Sequence, residues 1–306
     1  IKAYDTVIRI DQMRQANRLA GRMADQKSIV NFRETSRDVL SYWFSDRLDQ
    51  LAFLTLSGIS YTMRTNGLAR PAMPLGQNFN DLEFAADVIA PSANRHINVS
   101  ASTTSGGGVV SLAGGAASPN MSNTGMLSYK AIVNIKAFCK DNYIRGIKGN
   151  GNGEVYHMFV TPQIMAQLKL DADFIANSRH AGVRGDGNQL FSGSESVMVD
   201  GIMIHEFRHV YHNDSAASGA RFGSSGAVKG TRVLLCGAQA MGLADLGNAD
   251  YIEEVFDYEN QYAISVSKIL GFLKPQFFPT PFSTSTASTV REDFGVIAID
   301  VAASGQ

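Results

Sequence analysis

The chain has 306 residues, 44% of them hydrophobic, and a formal net charge of −1. The apolar share suits a packed core in one large domain or two smaller ones and excludes a wholly disordered chain, while the charge balance excludes the basic excess of a dedicated nucleic-acid binder. Only 18% of residues are charged, where ordinary soluble domains carry roughly 25%, so much of the surface is expected to be covered by partners.

Residues 6–10, Thr-Val-Ile-Arg-Ile, form a β-branched run that predicts a strand. Met13, Ala16, Ala20, Met23 and Ala24 follow at helical spacing and predict a helix within 12–30, weakened by Gly21. The strongest helical signal covers 33–57. Val39, Leu40, Trp43, Phe44, Leu48, Leu51 and Leu54 recur every three or four residues, Arg37, Asp38, Asp46, Arg47 and Asp49 take the other face, and Gly58 supplies the stop. Such a helix is about 37 Å long, well beyond the usual three turns. Trp43, the single tryptophan, is expected to anchor its core face. Residues 59–78 predict a loop, and Asn80 or Asp81 caps a predicted helix that Pro91 ends after Ala90. Residues 100–125 are rich in Ser, Thr, Gly and Ala and predict a flexible insertion or linker. The pattern then predicts a helix over 126–140, with Thr124 as a cap, and a strand over 155–160. Thr161-Pro162 opens a helix with Ile164, Met165, Leu168 and Leu170 inward. Strands are expected over 196–204 and 231–236, a short helix over 237–241, and late strands over 251–257 and 295–301.

The sharpest chemical signal is His205-Glu206-Phe207-Arg208-His209, which fits H-E-x-x-H. Zinc hydrolysis needs both imidazoles on one helical face and the glutamate poised over a metal-bound water. Here the flank Val-Met-Val-Asp-Gly-Ile-Met-Ile (197–204) predicts a strand, and no acidic residue follows at the distance of a third ligand. A strand end is therefore expected. Residues 149–153 read G-N-G-N-G but precede a strand and lack a following Gly-Lys-Ser/Thr, which predicts a β-turn rather than a phosphate cradle. Cys139 and Cys236 cannot form a disulfide scaffold, which fits a reducing compartment, and each is expected to be a core thiol. Glu253, Glu254, Asp257 and Glu259 cluster near the late strands, where edge charge is the expected role. No apolar run approaches the roughly 18–20 residues of a membrane span.

The order of segments is more specific than any motif. A long amphipathic helix runs into a Gly/Pro-rich loop, and the segment EVYHMFVTPQIMAQLKLDADF joins a buried strand to a Pro-opened helix. TRVLLCGAQA, EEVFDYENQYAISVSKILGFLKPQFF and FGVIAIDVA follow. This order resembles the major capsid proteins of tailed bacteriophages, which have the Hong Kong 97-type fold. Within them it is most similar to the podovirus-type family, where GAQA, DYGN-like and G-x-x-K-x-x-F segments recur. Here these are Gly237-Ala-Gln-Ala240, Asp257-Tyr-Glu-Asn260, with Glu259 where glycine is usual, and the segment from Gly271 through Lys274 to Phe277. The resemblance covers most of residues 1–60 and 126–302.

The resemblance implies an α+β Hong Kong 97-type capsid fold. Residues 1–74, with a spine helix at about 33–57, would begin a peripheral domain. Residues 75–245 would form an axial domain carrying the 100–125 insertion, and 246–306 would return as strands to the peripheral domain. It implies a major capsid protein, with no enzymatic activity and no cofactor, that assembles into hexamers and pentamers of an icosahedral shell around phage double-stranded DNA. Its implied partners are copies of itself, a portal, and scaffolding or cement proteins, with non-specific contact to packaged DNA and no membrane. The implied location is the virion capsid, assembled in the host bacterial cytoplasm. Trp43, Phe44, Leu48 and Leu51 are the expected core and assembly residues. The family's N-terminal arm and extended loop need more residues than precede Arg33, so they are expected to be missing, cleaved or disordered. Two other readings stay open: a zinc-dependent hydrolase using His205, Glu206 and His209, and a virion decoration or binding protein.

Overall fold

A polar stretch opens the fold as a strand, β1 (Asp11–Arg18), where helical spacing predicts a helix. The computed structural model describes residues 6–72, 78–100, 109–111, 121, 123–149, 153–181, 196–278 and 291–303. Residues 6–10, expected as a strand, have no regular structure and lead into β1. Burial alternates along β1, with Met13 inside, because the stretch is held by long-range pairing that overrides local propensity. Only a six-residue helix, α1 (Arg22–Lys27), remains of the predicted one; Gly21 stands before it at φ 142°, a conformation side chains resist.

The spine helix, α2 (Phe32–Ser57), matches its prediction within a residue. Asn31 caps it by accepting from the Arg33 N–H. Gly58 ends it at φ 66°, with its N–H and that of Ile59 returned to Thr55 and Leu54. A Cβ at Gly58 would stand 2.5 Å from the Ile89 carbonyl oxygen. Leu40, Phe44, Leu51 and Leu54 form the buried stripe, whereas Val39, expected inward, lies one step round the helix and is 52% exposed.

Residues 59–72 form a loop as predicted, with 73–77 outside the described residues, but short 3-10 turns at Phe79–Asp81 and Glu83–Asp87 replace the helix expected up to Ala90. The chain continues through β2 (His96–Ser100), β3 (Val109–Ser111), α3 (Tyr129–Asp141), β4 (Ile147–Lys148) and β5 (Glu154–Val160). Most of the 100–125 insertion, and the middle of the 149–153 turn, lie outside the described residues. Ser128 rather than Thr124 caps α3, accepting from the Ala131 N–H. Next come α4 (Pro162–Leu170), α5 (Ala172–Ala181), β6 (Ser196–Val199) and β7 (Ile202–Glu206). Ile164, Met165 and Leu168 of α4 are buried, but Leu170 is 78% exposed in its last turn. The single strand expected over 196–204 is a hairpin, folded back at Asp200 (φ 45°) and Gly201 (φ 79°). The last elements are β8 (Gly230–Cys236), β9 (Gly242–Asp245), β10 (Asp250–Phe256), β11 (Gln261–Leu273), β12 (Gln276–Phe277), β13 (Glu292–Asp293) and β14 (Val296–Ala302). The short helix predicted over 237–241 is a turn into β9. β11, the longest strand at 13 residues, has no counterpart among the predicted elements, although Ile264, Val266, Leu270 and Phe272 alternate along it.

Two sheets organise the chain. In the smaller, β11 is central, flanked by β1 on one side and by β10 and β9 on the other, all antiparallel. The spine helix packs on it, joining Leu40, Phe44, Leu51 and Leu54 to Ile264, Val266, Leu270 and Phe272. The larger, eight-stranded sheet runs β3-β2-β14-β8-β5-β7-β6, with β4 beside β5, and packs with α3 and α4 around a second core. The terminal strand β14 departs from the expected grouping of 246–306 as one unit. It lies between β2 and β8 in the large sheet, while β10 and β11 join β1 in the small one. All seven residues of β14 are buried, and a strand apolar on both faces needs a sheet covered on both sides. A third cluster, Leu56, Leu234, Cys236 and Val296 with Phe53 and Phe159 against it, welds the end of the spine helix to that sheet. No helix among the described residues is long and apolar enough to cross a membrane.

Candidate functional site

The H-E-x-x-H residues sit on a strand end and a turn, as the flanking pattern predicts, and this leaves the alternative hydrolase reading of His205, Glu206 and His209 without its geometry. His205 and Glu206 finish β7, and Phe207, Arg208 and His209 turn away from it. Parallel pairing with β5 sets His205 opposite Phe159, and His157 Nδ1 lies 2.9 Å from His205 Nε2 with the rings stacked. Burial, then the neighbouring His157, holds the His205 imidazole below its ordinary pKa. His209 Nε2 instead lies 2.8 Å from Asp46 Oδ1 on the spine helix, an oxygen that also accepts from Arg208 at 2.8 Å. Burial outweighs Asp46 and lowers the His209 pKa too. The two imidazoles thus face different partners on different elements, and the strand backbone does not offer the one-face chelate that a helix would. No group of three His, Cys, Asp or Glu able to hold a metal occurs among the described residues.

Of the four spine residues singled out in the sequence, Phe44 and Leu51 are buried, while Trp43 and Leu48 are partly buried against the same core. Trp43 packs beside Phe44 and stacks on Phe79 at 6.5 Å. Cys139 and Cys236 are both buried, and burial pushes both thiols up to about 12.

A buried polar tie was not legible as a site. Asp300 sits in an otherwise apolar run, Val-Ile-Ala-Ile-Asp-Val-Ala, and that single charge was the available signal. Arg232 Nε donates to Asp300 Oδ1 at 2.9 Å, and His96 Nε2 lies 2.8 Å from Oδ2. Arg232 Nη1 also donates to the Ser57 carbonyl at 3.0 Å, satisfying a last-turn acceptor of the spine helix. A second buried pair, Lys274 Nζ to Asp293 Oδ2 at 2.9 Å, fastens the strap after β11 to β13. The first pair joins strands 68 residues apart and the second closes a 19-residue span, and each ties structural elements together.

Two surface features remain. A cleft of about 1080 Å³ opens between the middle of α2, β1, the loop at 61–72 and the turns at 78–82 and 208–212. Arg14, Arg47, Arg64, Arg70 and Arg208 line it against Asp46 and Asp81. The other feature is the β10–β11 hairpin. Every residue of β10 is exposed, as is the tip, where Asp257, Tyr258 and Glu259 all take positive φ. The carboxylates expected at strand edges are here, with Glu253 paired to Arg33 and Glu259 to Arg22 at 3.7 Å.

The model of the family described as phage capsid protein matches residues 1–305. The chain is 52% identical over 303 residues to the major capsid protein of Pseudomonas phage KPP25, covering 99% of this chain and 76% of that one. Among solved structures, the capsid of Ralstonia phage GP4 matches with a TM-score of 0.68 at 23% identity, over 97% of this chain and 74% of that one. The capsid asymmetric unit of cyanophage Pam1 matches at 0.69 and 15% identity, over 98% and 76%.

Proposed function

Because the chain belongs to the phage capsid protein family, we infer that it is the repeating tile of a phage head, a major capsid protein located in the virion. It has the α+β, Hong Kong 97-type fold of capsid subunits and is a structural protein rather than an enzyme. The observation that carries this reading is the high identity to a major capsid protein along nearly the whole chain. Copies associate with one another into a shell. We read the shell as hexamers and pentamers closing with icosahedral symmetry around double-stranded DNA, assembled in the host bacterial cytoplasm.

The packing and the composition both support that reading. The spine helix and its sheet form one rigid layer, welded to the large sheet by the Leu56 cluster and by Arg232. In the proposed division, α2 with the small sheet is the peripheral part, and the large sheet, including β14, is the axial part. Obligate interfaces of shells commonly bury ~2,000–5,000 Å², and a chain that is 18% charged incurs little desolvation cost in doing so. Portal, scaffolding or cement proteins and the packaged genome are the further partners of such a tile, and a net charge of −1 suits loose, non-specific contact with DNA.

Electron microscopy of the purified chain tests the function. Closed shells, or five- and six-fold capsomers, are expected. Discrete small oligomers that never close would overturn the shell reading and favour a decoration protein.

A further inference from the structure

The cleft beside the spine helix holds more cationic than anionic side chains, and the imbalance is built in. Asp46 is already engaged by Arg208 and His209. Arg70 is half-buried and finds only neutral acceptors, the Met63 carbonyl and Gln50 Oε1, with its guanidinium over the Phe79 ring. Burial, together with Arg47 and Arg64, pushes its pKa down to about 10. Arg14 and Arg64 are exposed, with no ion pair among the described residues. A half-buried guanidinium surrounded by its own kind is unfavourable until an anion arrives.

The hairpin has the opposite deficit. Along β10 the residues alternate, so Tyr251, Glu253 and Val255 face the spine helix, where Glu253 meets Arg33. Asp250, Ile252, Glu254 and Phe256 face outward. Among the described residues neither Asp250 nor Glu254 has a cation partner, and nothing pairs with the strand's outer backbone edge. Such an edge, carrying apolar side chains between carboxylates, is a template for another chain. It cannot reach its own subunit's cleft, because β10 is held in register to β11 on the side away from β1.

We propose that the cleft receives the β10–β11 hairpin of a second copy, with Glu254 and Asp250 meeting the arginine cluster and Ile252, exposed between them, covering its apolar rim. This rests on the shell reading above. Cleft and hairpin are different patches of one tile, so the contact is heterologous, the kind that closes into rings. A mixed, recessed cleft with Asp46 and Asp81 in its wall suits a carboxylate-bearing strand better than a phosphate backbone, which is met by open basic stripes.

The test uses the full chain. In the double variant R64C/E254C, treatment of assembled particles with a short bifunctional maleimide should give a ladder of covalent oligomers on a denaturing gel; the native thiols are buried. R14E/R64E should melt as wild type yet lower shell yield at least ten-fold, E254R should do the same, and combining the three changes should restore yield. Shells that form without any cross-link, with R14E/R64E at wild-type yield, would overturn the contact alone. R14E/R64E shells that form normally but lose packaged DNA would overturn it in favour of nucleic acid at the cleft. A wild-type chain that never associates would overturn the shell reading and this contact together.

Discussion

Replacing Asp300 by asparagine tests the tie between the large sheet and the spine helix. The side chain is fully buried, bound by Arg232 at 2.9 and 3.3 Å and by His96 at 2.8 Å. D300N keeps the volume but leaves the Arg232 guanidinium without its counter-charge, and breaking a buried pair in this way costs about 3–5 kcal/mol. A natural domain is stable by only ~5–15 kcal/mol, so the effect should be large. The pH dependence follows from the same site. Burial pushes the Asp300 pKa up, but Arg232 and the His96 hydrogen bond outweigh it and hold the carboxyl well below the usual range. A carboxyl depressed in the fold contributes its full stability above the unfolded value, near ~3.9, and loses it as pH falls through the folded value. Wild type should therefore weaken below about pH 4, whereas D300N should be weaker at neutral pH and lack that part of the acid slope. The assay is denaturant unfolding of unassembled subunits across that range, because assembly would add stability by mass action. A D300N subunit within about 1 kcal/mol of wild type at neutral pH, with the same acid slope, would refute the reasoning.

Leu51→Ala should cost about 2–5 kcal/mol, since its site is fully buried. Trp43→Ala should cost less than the ~3–5 kcal/mol of a buried tryptophan, because Trp43 is only partly covered; equal losses in chemical unfolding would contradict the packing. The His205 imidazole is lowered by burial and then by His157, so its contribution is complete above the unfolded value near ~6.5 and is lost as pH falls below it. His205→Phe, which keeps the stack on Phe159, should flatten that decline in a melting series; an unchanged series would assign it elsewhere. Cys139 and Cys236, pushed up to about 12, should resist alkylation in the native subunit near neutral pH and react fully only on unfolding. Rapid labelling of folded subunits, followed by mass, would count against their burial.

Several parts of this architecture were legible before any coordinates. The spine helix declared itself because its apolar residues repeat at the helical period from Val39 to Leu54, about four turns, and Gly58 marks its end chemically, whereas the Asn31 cap emerged only in the structure. The runs at 155–160, 231–236 and 295–301 announced strands because β-branched, aromatic and aliphatic residues dominate them. H-E-x-x-H was readable as a decoy for a similar reason. Its upstream flank, 197–204, predicts a strand rather than a helix, and no acidic residue follows at the distance of a third ligand. Asp300 was visible as a lone charge in an apolar strand, but its partners were not, since Arg232 and His96 lie 68 and 204 residues away.

What the chain alone determines is local: where backbone hydrogen bonds can close over a few residues, and which face of each element is greasy. The tertiary structure decided the rest. β1 is a strand only because β11 offers it a ladder, and β11 itself went unread although its alternation was present. β14 belongs with β2 and β8 because a strand buried on both faces must be covered on both sides, a need that composition states but cannot assign to neighbours. The arginine cleft gathers side chains from five separate stretches, and no window along the sequence contains them together. Long-range pairing is chosen by the complementarity of whole surfaces, so the tile, its buried tie and its cleft emerge only when the chain is folded.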